Sequence, residues 1–474
     1  MPPPRFRPRG PRAVAVALAL ALGLCIAADL WQMPVQLHDA VFELLDAQQS
    51  ASPLASFTAA SHTTAYLRPL RIAQIKTLFD LSQGAHLHAV FRGFHAVLLV
   101  AALLLFAGAT RVCTPTDLAA AAFALLVLIG LHTFRGNVQE AFPINHFVEM
   151  VVACLLVLNL ARSHGGIGVD ALAAVTFAAA VLTLESGLLV WVVAMAAWLV
   201  GWRGISTRGI VAMTLLLAAY LFVRFSYLHT GTPALTERSS GFLLSVLDPV
   251  DLQRRFGADP RPFYAYNVVT SAMSVLFSEP RAGVFAAVRD WDRGALLPRS
   301  YLQLITSGLT TSLLCWSAVW CVRARRLDDT ARMFAVFGAV LAANAVLSFA
   351  YTKDEIITVA GAFYALAVFA AVADLLRAKH RHAGAGIAVT ALVAVLACGW
   401  AIRAGNVHYL LRAQAFRHQN DWAGVPEAWS RRGSLPADPA ARQLLLNLRR
   451  DAVMLRIPNP RAQNPDWIED LWED

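Results

Sequence analysis

Eleven apolar runs, each close to the length needed to cross a lipid bilayer, constrain this 474-residue chain more than any other feature. A spanning helix needs about 20 apolar residues, because the hydrocarbon core is about 30 Å thick and a helix rises about 1.5 Å per residue. Charged residues make up only 15% of the chain, against about 25% in a soluble domain. The sequence therefore predicts an all-α polytopic membrane protein. The runs lie at 13–30, 92–110, 117–133, 147–161, 169–184, 187–202, 209–226, 302–322, 333–350, 356–376 and 387–402.

Basic residues around these runs set the expected orientation. The stretch 169–202 reads either as one long helix or as two helices broken at Glu185-Ser186-Gly187. With the break, arginines and lysines collect in the segments on one side, and the short loops on the other side hold only Arg135 and Lys353. Basic loops stay in the cytoplasm. We therefore predict eleven spans in a bacterial-type inner membrane, with a retained first helix, a cytoplasmic N-terminus and a periplasmic C-terminus. These loops account for the net charge of +9, so no nucleic-acid partner is expected.

Long hydrophilic segments divide the chain. Residues 1–403 are expected to form a transmembrane domain with two long periplasmic loops, 31–90 and 227–300, and residues 404–474 a periplasmic helical tail. Within these segments, helix-like apolar spacing occurs at 72–81, 267–277, 406–416 and 439–455.

Ionisable residues outside the basic flanks all map to the predicted outer ends of the helices. Charged groups at membrane depth are costly and usually functional. Glu43 and its acidic neighbours are alternatively solvated loop residues, and the Lys353 segment is alternatively a helix cap. Glu185 is harder to explain in this way, because both of its flanks are strongly apolar. The outer-end set comprises Asp29, Asp39, Glu43, Asp46, Arg68, Arg71, Lys76, Asp80, Arg135, Glu140, His146, Glu149, Glu185, Arg224, Lys353, Asp354 and Glu355.

Three short motifs within residues 30–200 resemble GT-C-type membrane glycosyltransferases. They are most similar to the polyprenyl- or dolichyl-phosphate-sugar-dependent O-mannosyltransferases with transmembrane and tetratricopeptide parts. The resemblance implies a divergent member of that family, because Leu184 stands where the family has a lysine, no proline follows His132, and the tail is too short for a tetratricopeptide array. The motifs are Tyr66-Leu67-Arg68-Pro69-Leu70 with Leu78-Phe79, His86-Leu87-His88 and His95-Ala96; Leu131-His132 with Val138-Gln139-Glu140-Ala141; and Thr183-Leu184-Glu185.

The resemblance implies an essential acid in the first outer loop, and Asp39 matches that place best. Transfer of a sugar from a lipid phosphate needs a base for the acceptor hydroxyl, a role that an aspartate at the interface can fill. The phosphate leaving group needs cationic donors, for which Arg68, Arg71 and Arg224 are the candidates. Candidates for holding the acceptor or orienting an arginine are Glu140, Glu185 and His132. Glu140 and Glu185 are also compatible with a divalent cation, although the sequence defines no metal site.

The expected function is transfer of a sugar from a polyprenyl-phosphate donor to an envelope glycan, lipid or protein on the periplasmic face. The expected partners are that donor, the acceptor and membrane lipids. Two alternatives stay open: a transporter or flippase of a lipid-linked glycan, and a non-catalytic assembly subunit of the same fold. Transporters often carry internal repeats and paired broken helices, whereas this chain has one break and its charges lie at one face.

Overall fold

The computed structural model of the chain describes residues 10–37, 39–62, 66–139, 145–242, 244, 246–277, 284–378, 383–432 and 438–460. For residues 39, 139, 284–286, 298–299, 378, 383–385 and 426–432 the description covers the backbone alone. Within these ranges the chain is α-helical and contains no β-strand, apart from two isolated β-bridges.

Seven helices are long and apolar enough to cross a membrane, which confirms an all-α multi-pass architecture. They are Gly10–Leu30, Leu87–Thr110, Thr207–Tyr227, Ser300–Arg323, Asp329–Leu347, Thr358–Arg377 and Gly386–Val425. The pair Pro115–Gly130 and His132–Val138 passes the same test but bends by 63° at its break. Three shorter apolar helices complete the bundle: His146–Ala161, Ile167–Thr183 and Glu185–Leu199.

The predicted break at Glu185 is present. Helix Ile167–Thr183 ends at Leu184, which is extended (φ −153°, ψ 149°), and Glu185–Gly187 form one 3₁₀ turn before helix Leu188–Leu199. The chain turns tightly here, because a Cβ built on Gly187 would lie 2.4 Å from the carbonyl oxygen of Ala180. Glycine thus lets the 3₁₀ turn pack directly on the preceding helix, and this packing fixes the position of Glu185.

Substituting Gly187 by alanine is expected to lower the free energy of unfolding by about 2–3 kcal/mol, as overpacking against a rigid neighbour does. The obstructing atoms are backbone atoms of Ala180 and Val181, which cannot swing away. Gly168→Ala is the matched control, because a Cβ at Gly168 meets nothing within 4 Å. Thermal denaturation in detergent should separate the two variants; equal midpoint temperatures would contradict this packing.

Ion pairs join the helix ends that the sequence assigns to the cytoplasmic side. These pairs bring together the C-terminal ends of some helices and the N-terminal ends of others, as expected for a bundle in which successive helices alternate in direction. The pairs are Arg326 with Asp374 at 2.5 Å, Arg377 with Asp117 at 2.5 Å, and Arg162 with Asp329.

The first long loop and the tail pack on each other at the opposite end. The last of the long apolar helices, Ala383–Arg432, has 50 residues, about 75 Å, and therefore extends far beyond a bilayer about 30 Å thick. It continues through residues 403 and 404, so the helix has no break where the tail was predicted to begin. Trp422 on this extension is fully buried and donates a hydrogen bond to the carbonyl of Val35 at 2.7 Å. A small apolar core thus links the tail to the first loop.

The remaining helices lie within the segments 31–90, 227–300 and 404–474. Helical spacing predicted at 72–81, 267–277, 406–416 and 439–455 is confirmed. The helices are Asp39–Gln49, Pro53–Ala60, Pro69–Ser82, Pro233–Thr236, Pro249–Phe256, Arg261–Phe277, Val284–Asp292 and Pro439–Met454.

Candidate functional site

A cavity of about 420 Å³ lies at the end of the bundle that carries the 3₁₀ turn. Six separate stretches of the chain line it, and the wall is mixed, with charged side chains beside apolar ones. The lining residues are Glu43, Tyr66, Arg68, Arg71, Asn145, His146, Phe147, Leu184, Glu185, Ser186, Arg224, Thr232, Pro233, Ala234, Arg238, Leu347, Phe349, Ala350, Tyr351, Lys353 and Ile356.

Glu185 lies between two arginines. Nε and Nη2 of Arg68 both donate to Oε2 of Glu185, at 2.9 and 2.5 Å. Nη1 of Arg224 lies 3.4 Å from the other carboxylate oxygen and donates to the Tyr220 hydroxyl at 2.8 Å. The Glu185 carboxylate therefore holds two guanidinium groups from distant parts of the chain at one place.

Local backbone geometry brings both arginines to Glu185. Arg68 immediately precedes helix Pro69–Ser82, whose N-terminus is fixed by the proline ring. Arg224 lies in a six-residue π-helix, Phe222–Tyr227, at the end of its span. A π-helical turn rotates the following side chains relative to a regular helix, and such turns are frequent at functional sites.

A second pair, Arg71 with Glu43, lines the same cavity. Burial lowers the pKa of the Arg71 guanidinium from its ordinary value, and the neighbouring Glu43 opposes that shift. Arg68 also stacks on the Tyr66 ring, 4.1 Å from its centroid, and burial raises the pKa of the Tyr66 hydroxyl. The segment 31–90 therefore contributes two cations, one carboxylate and one aromatic ring to the lining.

The described lining is electropositive. Its cations are Arg68, Arg71, Arg224, Arg238 and Lys353, and its carboxylates are Glu43 and Glu185, so three positive charges remain uncompensated within it. In a partly desolvated cavity these charges attract an anion more strongly than they would in water. The site therefore suits a ligand that carries negative charge, with an apolar wall available for a hydrophobic part.

The structure brings together four of the residues that the sequence singled out. Arg68, Arg71, Arg224 and Glu185 all line this cavity. His132 does not line it; this residue is buried, and its Nε2 lies 3.3 Å from Oδ1 of Asp354.

Two other candidates fall partly or wholly outside the described residues. The backbone of Asp39 begins helix Asp39–Gln49, one turn before the cavity residue Glu43, but the side chain of Asp39 lies outside the description. Glu140 lies outside it entirely. Within the described ranges no group of three or more His, Cys, Asp or Glu side chains is placed to hold a metal ion. The predicted role of Glu140 in a cation site is therefore untested.

Several lining residues were missed by the sequence analysis or given another reading. Glu43 and Lys353 were weighed as a solvated residue and a helix cap, yet both line the cavity. Arg238 and Tyr351 carried no signal in sequence, because they lie in loops whose position depends on long-range contacts. Tyr66 was part of a recognised motif, but only the structure shows it stacked beneath Arg68.

Comparisons of the chain with protein-family models, with curated proteins and with solved structures found no match.

Proposed function

We propose that this chain is a GT-C-like membrane glycosyltransferase that moves a sugar from a polyprenyl-phosphate donor to a cell-envelope acceptor on the periplasmic face of a bacterial-type inner membrane. The observation that carries the proposal is the cavity in which Arg68, Arg71 and Arg224 converge at the ends of apolar helices. A lipid-linked sugar phosphate has the matching chemistry, since it places an anionic group at the membrane surface while its chain stays in lipid.

The arginines have donors left for a phosphate. The Nε–H groups of Arg71 and Arg224 are buried and make no hydrogen bond within the described part of the chain. Buried donors of this kind are rarely left unsatisfied in a protein. The side chain of Arg224 is only 7% exposed, so a phosphate oxygen there would be bound in a largely water-free setting, where charge-assisted hydrogen bonds are strong.

Each charged group then has a distinct task in the transfer. The acceptor hydroxyl oxygen forms a bond to the anomeric carbon while the bond from that carbon to the phosphate oxygen breaks. The phosphate leaves with the electron pair, and the arginines stabilise its charge. The hydroxyl proton passes to the base, for which Asp39 is the candidate. Glu185 is an orienting residue, because both of its oxygens already face arginines.

The proposal includes the eleven-span topology. The seven long helices, the bent pair and the three short apolar helices supply eleven apolar elements in chain order. The cytoplasmic assignment for one end is supported by the clustering of Arg162, Arg326 and Arg377 there, since basic residues favour that side. The cavity then opens on the periplasmic side.

Cysteine labelling tests this topology. In a chain whose six cysteines are replaced by serine, we expect Ala51→Cys to react with a membrane-impermeant maleimide in intact spheroplasts. Ser163→Cys should react only after permeabilisation; both positions are solvent-accessible in the structure. The reverse pattern would place the cavity in the cytoplasm and contradict a periplasmic reaction.

The transfer reaction itself is tested with purified protein in nanodiscs, radiolabelled polyprenyl-phosphate sugars extracted from bacterial membranes, and a cell-envelope extract that supplies the glycan, lipid and protein acceptors. We expect Arg224→Gln to reduce kcat/KM by about 100-fold, as the loss of one charged donor at a leaving group does. Arg289→Gln, an exposed arginine outside the cavity lining, should retain wild-type transfer. A wild-type protein that binds the donor without transferring its sugar would contradict the enzyme and favour the transporter or assembly-subunit alternative.

A further inference from the structure

Backbone hydrogen bonds join two loops at the cavity, one that contains Ser240 and one that contains Tyr351. The amide of Ser240 donates to the carbonyl of Ala350 at 3.1 Å, and the amide of Thr352 donates to the carbonyl of Ser240 at 3.1 Å. Asn267, which is fully buried, donates from Nδ2 to the carbonyls of Ser240 (3.2 Å) and Phe349 (2.8 Å). The two loops therefore hold a fixed relative position.

This junction places two cations near one tyrosine ring. The Arg238 guanidinium carbon lies 5.7 Å from the centroid of the Tyr351 ring, and Nζ of Lys353 lies 5.8 Å from the same centroid. All three side chains line the cavity. Cations over an aromatic face gain only a modest attraction when they are exposed, so the ring orients these groups without neutralising them.

The two cations differ from the three deeper arginines in their lack of carboxylate partners. Arg68, Arg71 and Arg224 each face Glu43 or Glu185. Within the described residues, neither Arg238 nor Lys353 forms an ion pair with a carboxylate. Asp354, next to Lys353 in sequence, instead approaches His132.

Exposure separates the two groups as well. Arg238 and Lys353 are exposed, whereas the side chains of Arg71 and Arg224 are 16% and 7% exposed. The cavity thus has a buried cationic end and a water-facing cationic mouth. A donor that enters from lipid would occupy the buried end, and a ligand that arrives from water would meet the mouth first.

We propose that Arg238, Tyr351 and Lys353 form a second anion subsite, which binds an acidic group carried by the acceptor. This inference rests on the proposed function, because it assigns the buried arginines to the donor phosphate. The chemistry of the subsite fits a phosphate or a carboxylate: the guanidinium group offers paired donors and the ammonium group a mobile point charge. Two uncompensated cations beside one ring repel each other, and an anion that binds both relieves that repulsion.

Calorimetry on the full chain in phosphatidylcholine nanodiscs tests the subsite. The probes are alkane bisphosphonates of increasing spacer length, beginning with methylene bisphosphonate, and alkyl monophosphonates of matched length. At one intermediate spacer length, we expect the bisphosphonate to bind about tenfold more tightly than its monophosphonate, because one molecule then engages both cationic groups. Arg238→Gln combined with Lys353→Gln should abolish this advantage and leave monophosphonate binding within about twofold of wild type.

Matched variants separate the inference from the proposed function. Arg289→Gln combined with Arg293→Gln removes two cations outside the cavity lining and should keep the full bisphosphonate advantage. Arg224→Gln should weaken the monophosphonates themselves, so it reports on the donor site. At the best spacer length, an ω-carboxyalkyl phosphonate is compared with the bisphosphonate. Equal affinity would show that the subsite accepts a carboxylate, and weaker affinity would show that it prefers a phosphate.

Three results would overturn the subsite. Bisphosphonates that bind no better than monophosphonates at any length would remove it while leaving the donor site intact. An advantage that survives in the Arg238→Gln, Lys353→Gln protein would place the second anion elsewhere. If methylene bisphosphonate, the shortest probe, binds most tightly, the two anionic groups lie as close together as in a single diphosphate headgroup. The second anion would then belong to the donor and not to the acceptor. If no phosphonate binds the wild type, both the proposed donor site and the proposed subsite are contradicted.

Discussion

Replacing Glu185 by glutamine is expected to lower the free energy of unfolding by about 2–3 kcal/mol. The carboxylate neutralises Arg68 and Arg224, and its removal leaves two guanidinium groups facing each other. Breaking a fully buried ion pair costs about 3–5 kcal/mol, and we expect less here because the Arg68 and Glu185 side chains are 24% and 25% exposed. Glutamine has nearly the same volume as glutamate, so the loss of stability measures the effect of removing the negative charge. Chemical denaturation in detergent, followed by tryptophan fluorescence, measures it.

The control for this variant is an ion pair at the surface of the protein, where water screens the charges. Asp251 pairs with Arg254, whose side chain is 70% exposed, so Asp251→Asn should change the free energy of unfolding by no more than about 0.5 kcal/mol. Inorganic phosphate should raise the midpoint temperature of Glu185→Gln more than that of wild type, because a bound anion replaces the lost carboxylate and binding stabilises the folded state. Equal stability of Glu185→Gln and wild type, with no phosphate effect, would contradict the role of Glu185 as the counter-ion of both arginines.

Asp39→Asn should produce the largest loss of activity of any single change, about 10²–10⁴-fold in kcat, because a general base contributes a factor of that size. The backbone of Asp39 begins the helix whose next turn carries the cavity residue Glu43. Asparagine keeps the size of the side chain and removes its ability to take a proton. Sugar transfer by purified protein in nanodiscs, with donor binding measured in parallel, separates loss of the chemical step from loss of binding.

Asp46→Asn is the matched control for Asp39. Asp46 lies on the same helix, is exposed and does not line the cavity. The same chemical change at that position should leave kcat within about twofold of wild type, as expected for a solvated surface residue. Comparable kcat values for Asp39→Asn and wild type would remove Asp39 from the reaction and direct attention to Glu43, the carboxylate one turn further along.

Features set by local sequence pattern could be predicted here. Each apolar run became a helix, because backbone polar groups in lipid must bond within their own segment. The break at Glu185 was predicted because only with it do the arginines and lysines between the spans collect on one side of the membrane. The grouping of Arg68, Arg71, Arg224 and Glu185 was predicted because charges in and near lipid avoid the hydrocarbon and collect where a cavity admits water.

Features that depend on contacts between distant segments could not be predicted. The sequence around Arg224 reads as an ordinary helix, and its π-helical turn depends on packing at the end of the span. The junction of Ser240 with Tyr351 joins loops more than a hundred residues apart by two backbone hydrogen bonds and one buried asparagine. The burial of Trp422 against the first loop likewise has no local signature, because its partner, Val35, lies near the other end of the chain.

His132 shows how a motif can indicate a region without indicating a role. Its position in the sequence suggested contact with the acceptor, yet its imidazole lies beside Asp354 and outside the cavity lining. Asp354 belongs to the loop that also presents Lys353 to the cavity. The structure therefore assigns His132 a place in supporting that loop, which is consistent with a positioning residue.

Photo-crosslinking with a polyprenyl phosphate that carries a diazirine in the isoprene unit next to the phosphate tests the proposed donor site in the cavity. In nanodiscs, we expect crosslinks to peptides containing residues 66–71 and 222–238, which unlabelled polyprenyl-phosphate sugar suppresses and Arg224→Gln weakens. Crosslinks spread over the lipid-facing helices, unaffected by competitor or by Arg224→Gln, would contradict it, because the lipid phosphate would then have no specific site in this cavity.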